Sequence, residues 1–243
     1  MQRRAVPRLV NSERLRGAEW VRYVRLGSTA RLTGWVALVP LAYFAAEWVV
    51  AASWRGHYGY RDQLLGPLGM AFCGPVGNWP CSEIYRAMNI ALVATGLAVA
   101  IVALSLLVQR SAHRGAALLL VAAGLALSVA GAVTQHASYS VNLTATVVFM
   151  ALGSISALLI AVHPATHMSG ERRVVAVLAG ATGLIGYFIY ASGHDVLGPG
   201  GAQRASIYGI LIAVIAVGTA GFGTVARDDV RAADTHGLLE VSR

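Results

Sequence analysis

Six apolar runs of about 20 residues alternate with short polar connectors along this chain. They cover residues 33–53, 84–108, 116–134, 143–162, 174–190 and 206–225. A hydrocarbon core about 30 Å thick takes roughly 20 residues of helix to cross. No water at that depth satisfies backbone N–H and C=O groups, so each crossing run must be a helix. The pattern predicts an all-α fold, a polytopic membrane bundle of six transmembrane helices. Residues 32–226 form this one domain, flanked by polar tails at 1–31 and 227–243. The first run is too long and too far from the N-terminus for a signal-peptide core, and it carries an acid, so it is read as an uncleaved span.

The charges orient the bundle. Eight arginines lie in residues 1–31, two in residues 109–115, two in residues 163–173 and three in the C-terminal tail. The other three connectors hold only Arg55, Arg61, Arg86 and Arg204. Basic residues stay on the cytoplasmic side. This asymmetry predicts that both termini are cytoplasmic and that the first, third and fifth connectors face outward. Trp20, Val21, Tyr23, Val24 and Leu26, mixed with arginines, suggest either a stretch lying on anionic lipid or a plain basic tail.

Composition agrees. Hydrophobic residues make up 56% of the 243 residues and charged residues 12%, with mean hydropathy +0.62; a soluble domain carries about 25% charged residues. The net charge of +8 does not imply nucleic acid, because its basic residues flank apolar spans instead of covering a folded face. The expected partners are membrane lipids in the plasma membrane. Small residues at Gly124, Ser128 and Gly131, and at Gly180, Gly183 and Gly186, have the spacing that lets helix backbones approach closely. Packing within the chain is the simpler reading of these stripes, and an oligomer the alternative.

The outward connectors carry the candidate chemistry. Cys73 and Cys81, the only cysteines, are separated by seven residues in a Gly- and Pro-rich loop, which on an oxidising face is read as a disulfide. Pro80 and Ser82 suggest a helix start with Ser82 as N-cap of the second span. His57, Asp62, Glu83, His136, His194 and Asp195 gather on this side. Their spacing matches no metal motif, so neither a metal nor a cofactor is expected. Gly193, Gly198, Gly200 and Gly201 mark the segment around Asp195 as a loop, with Arg204 at the outer rim as a partner for Glu83 or Asp195. Glu47 stands inside the first span, on its outward half. An embedded acid faces the bundle interior or a cavity. It is read as a general acid or as a hydrogen-bonding partner of Asn89, Gln135 or a hydroxyl on another helix.

Further residues carry a family likeness. Tyr60, then Gly66-Pro67-Leu68-Gly69, Cys73, Cys81-Ser82, Met88-Asn89 and Gly96 follow the first span, and Gly201, Gln203, Arg204 and Tyr208 stand near the last. In this text residues 34–225 resemble the actinobacterial branch of the membrane family called domain of unknown function 998. Two positions depart from its pattern, with Gly66 in place of a serine and Asn142 in place of a histidine. The resemblance implies six spans and no defined activity.

Three functions follow as expectations. The first is an outward-side pocket for a lipid or small apolar ligand, with His57, Asp62, Glu83, Asn89, His136, His194 and Arg204 as binding residues. The second is an enzyme acting on a lipid or isoprenoid, cyclase- or hydrolase-like, with Glu47 and Asp195 as acid and base. The third, a small carrier, ranks last because no two related halves or broken helices are legible.

Overall fold

The structure, a computed structural model, describes residues 29–70, 81–166, 168–220 and 222. Six helices are long and apolar enough to cross a membrane: α1 (Thr29–Ala52), α2 (Tyr85–Val108), α3 (Arg114–Ala132), α4 (Tyr139–Val162), α5 (Gly170–Ser192) and α6 (Gly198–Gly218). Among the described residues there is no strand, only an isolated bridge between Trp54 and Ser82. The fold is all-α, and the chain is a multi-pass membrane protein. Its helices are apolar around most of their circumference, and large side chains such as Trp35, Trp48, Ile90, Leu118, Leu178 and Phe188 stand exposed on the outside. Such a surface suits hydrocarbon and not water.

Helices adjacent in sequence pack side by side, and α6 also returns against α4 and reaches α2. The predicted small-residue stripes are used within the chain. A Cβ at Gly124 would sit 2.6 Å from the Gly96 carbonyl, and one at Gly186 would sit 2.5 Å from the Ser206 amide nitrogen. Absent side chains therefore bring α2 against α3 and α5 against α6 at backbone distance. Asn142, buried in α4, donates to the carbonyls of Ala130 (2.7 Å) and Val133 (2.9 Å), which satisfies the end of α3 from a neighbouring helix.

Three elements differ from the sequence expectation in ways that matter for the site. Pro40 has no N–H to give to the Val36 carbonyl, which accepts instead from Val39 at 3.1 Å, so α1 tightens into a turn at residues 37–39 before continuing. The sixth helix starts at Gly198, eight residues before the predicted boundary, because Gly198, Gly200 and Gly201 form its first turn instead of a loop. Gly193 alone closes α5, in the left-handed conformation at φ 69°. Ser82 is likewise not the N-cap of α2. The cap is Ile84, whose N–H donates to the Ser82 hydroxyl at 3.3 Å, while that hydroxyl also meets Ser53 at 2.6 Å.

The first connector folds over one end of the bundle. Arg55 donates its amide to the Cys81 carbonyl (2.8 Å) beside the Trp54–Ser82 bridge. A single 3-10 turn, Gly66–Gly69, then docks on α2, where the Asn89 amide donates to the Gly69 carbonyl at 3.0 Å. Leu65 and Leu68 are buried beneath it. At Gly66 a Cβ would overlap the Gln135 side-chain amide, 1.9 Å away, so the missing side chain is what admits the third connector here.

Candidate functional site

The same end of the bundle holds a buried ionic centre. Glu47 lies in the last turns of α1 and is 1% exposed; Arg204, 4% exposed, lies in the second turn of α6. Arg204 and Tyr208 are four residues apart and share one face of α6. Arg204 Nε donates to Glu47 Oε1 at 2.6 Å, and the Tyr208 hydroxyl donates to Oε2 at 2.8 Å. Both carboxylate oxygens are thereby occupied. The guanidinium is permanently charged, and Glu47 is its counter-charge, so the pair is neutral as a unit.

The rest of the guanidinium holds the first connector. Its Nη1 donates to the carbonyls of Gln63 (2.7 Å), Tyr60 (2.8 Å) and Gly200 (3.2 Å), and its Nη2 donates to the Tyr58 hydroxyl. That hydroxyl in turn donates a hydrogen bond to the Leu64 carbonyl at 3.0 Å. The Tyr60 and Tyr58 rings lie 4.9 and 5.4 Å from the guanidinium carbon, within cation–π range. One residue earlier on α6, Gln203 Oε1 accepts from the Leu65 amide at 2.8 Å, and the Gly201 amide donates to the Arg61 carbonyl at 2.9 Å. Gly200 makes this approach sterically feasible, since a Cβ there would come within 2.3 Å of the Gln63 carbonyl. The connector thus lies on α6 backbone to backbone, fixed by an arginine from below.

Burial dominates the electrostatics of the loop. It pushes the Tyr58 phenol up to about 12, more than the nearby Arg204 charge pulls it down. Tyr60 is also raised, again by burial first, then by the Glu47 charge. Both remain neutral phenols at physiological pH, available as hydrogen-bonding groups. Each buried ion costs several kcal/mol in desolvation, an expense tolerable only where geometry and further hydrogen bonds compensate. Here every nitrogen of the guanidinium has an acceptor. The Tyr43 hydroxyl, one turn below Glu47 and fully buried, has no hydrogen-bond partner among the described residues.

The expected outward-side constellation does not assemble around Glu47. Arg204 belongs to the buried centre and not to the rim. Its partner is Glu47, neither Glu83 nor Asp195, and among the described residues Glu47 bonds to Arg204 and Tyr208 and to none of Asn89, Gln135 or a serine or threonine hydroxyl. Glu83 is exposed and paired with Arg55. Asp195 and His194 stand exposed in the turn between α5 and α6, where the Asp195 backbone carbonyl accepts from Arg61 at 3.3 Å. His57 and Asp62 are exposed on the first connector and His136 on the third, and Asn89 is engaged with Gly69. Among the described residues no three His, Cys, Asp or Glu side chains converge in a metal-holding group. Cys81 is buried, while Cys73 lies outside the described residues, as do the Trp20–Leu26 positions and the C-terminal arginines.

Sequence reasoning found Glu47 but missed its partners Arg204 and Tyr208, together with Tyr58, Gln63 and Gln203. A usable signal existed: an embedded acid calls for an embedded cation, and Arg204 with Tyr208 has the one-turn spacing of a shared face. Tyr60 of the first connector and Gln203, Arg204 and Tyr208 of α6, far apart in the chain, meet at this centre. No family model, no curated protein and no solved structure matches this chain.

Proposed function

We propose that this chain is a lipid-binding protein of the plasma membrane whose loop-covered end is held together by the Glu47–Arg204 centre. Both termini are cytoplasmic in this reading and the centre lies toward the outward face, as the arginine distribution suggests. The observation that carries the reading is an open groove of about 360 Å³ on the side of the bundle, lined by Asn89, Ile90, Val93, Ala94, Leu97 and Gly131. That volume falls in the range of small-molecule sites, roughly 300–1,000 Å³. Its lining is apolar except at Asn89, which suits an acyl chain.

The buried centre weighs against the catalytic alternative. A general acid needs a proton to give and access to a substrate. Glu47 instead has both oxygens occupied within the protein, and Asp195 lies exposed in another connector. A Cys73–Cys81 disulfide belongs to the same proposal as a brace for the loop; a single mass shift of two hydrogens on reduction would support it, and free thiols on both would remove it. The test of the main reading is native mass spectrometry of the full chain extracted in mild detergent. Retained lipid at a fixed ratio to protein supports it. Repeated preparations without bound lipid overturn it.

A further inference from the structure

We infer that the groove between α2 and α3 selects a phospholipid with an anionic headgroup, and that Arg86 is the residue that reads the phosphate. The inference rests on the lipid-binding reading above and adds the chemical class of the ligand. Arg86, Ile90, Val93 and Leu97 follow one another at four-, three- and four-residue steps, which places them on one face of α2. Three of the four line the groove, and Arg86 lies one helical turn before the first of them, in the first turn of the helix. From Arg86 to Leu97 the helix rises about 16 Å, a length suited to the upper part of an acyl chain.

The polarity is graded in the order a lipid requires. Arg86 is exposed at the membrane boundary, beside Tyr85, an aromatic at the interfacial position. Asn89 follows, and then the apolar wall. The charge of Arg86 is unspent: its Nε donates to the Tyr85 hydroxyl at 3.2 Å, and no carboxylate among the described residues pairs with it. Arg55 and Arg204, by contrast, are paired with Glu83 and Glu47. A guanidinium with free donors in a fork geometry matches phosphate oxygens. A zwitterionic headgroup would offer the same phosphate but cancel its charge nearby.

The experiment places the full chain in vesicles of equal phosphatidylglycerol and phosphatidylcholine, extracts it in mild detergent and counts each bound lipid by native mass spectrometry. The parent is expected to retain phosphatidylglycerol about fivefold over phosphatidylcholine, the scale of one basic residue near a membrane surface. Arg86→Gln is expected to bring the two lipids to parity while total bound lipid is kept, and Arg86→Lys to preserve most of the preference. Both variants lie on the exposed surface, so neither tests the fold. Lipid retained without preference, or with a preference unchanged in Arg86→Gln, overturns the role of Arg86 and leaves the groove reading standing. No lipid retained by any variant overturns both.

Discussion

Arg204→Met is the perturbation that most sharply probes the buried centre. It keeps an apolar side chain of similar length but leaves the Glu47 carboxylate buried without its counter-charge. The side chains of the pair are 5% and 2% exposed, so solvent screens little of their interaction. Removing one partner of such a pair costs about 3–5 kcal/mol, chiefly as the penalty of an uncompensated buried charge. The lost donors to the Tyr60 and Gln63 carbonyls place part of that cost in the first connector. The double variant Glu47→Leu/Arg204→Met removes both charges, so it should recover much of the loss and end about 1–2 kcal/mol below the parent, the scale of loop carbonyls left without partners. Reversible unfolding by graded denaturing detergent in mixed micelles gives the stabilities. Trypsin cleavage after Arg55 and Arg61 reports release of the connector. The reasoning fails if Arg204→Met costs less than about 1 kcal/mol, the range of an exposed pair, or if cleavage at Arg61 is no faster than in the parent.

Tyr208→Phe removes a donor to the Glu47 carboxylate and should cost about 1–3 kcal/mol, whereas Tyr43→Phe deletes a hydroxyl that has no partner among the described residues and should leave stability unchanged or raised; the same unfolding assay ranks the two. Gly200→Ala sets a methyl against the Gln63 carbonyl and should cost about 1–3 kcal/mol as the connector lifts from α6, measured together with faster cleavage at Arg61. Tyr58 is held at about 12 in the folded chain against an ordinary 10.0, so its neutral form stabilises the loop fully below pH 10, and that contribution is lost as the pH rises through 12. Trypsin sensitivity of the connector, sampled by brief exposure across that window, should rise in the parent and show a flatter profile in Tyr58→Phe.

The six spans were legible because hydrocarbon imposes a length and an apolar composition that no tertiary contact overrides. The small-residue stripes were legible for a related reason, since only glycine-sized residues admit the backbone contacts seen between Gly96 and Gly124. The start of α6 was not. Gly198, Gly200 and Gly201 carry the composition of a loop, and only the connector packed against them explains their place in a helix. That one boundary moved Arg204 from a solvated rim into the bundle, and with it the identity of the Glu47 partner. The exposed acids and histidines show the converse. A shared side of the membrane, expected from the arginines, put His57, Asp62, His136, His194 and Asp195 together as candidates, but they lie exposed on three different connectors, the first, third and fifth. A chain-local reading supplies topology; the pairing of Glu47 with a residue 157 positions later depends on packing alone.

The claim at the centre of this account is that Glu47 is the charged structural partner of Arg204 and not a protonated acid awaiting a substrate. The infrared spectrum of the purified chain at neutral pH, compared with Glu47→Gln, reads this directly. The account predicts that the difference shows loss of a carboxylate stretch and no loss of a protonated carboxyl C=O band. A protonated carboxyl band that disappears on substitution would contradict it.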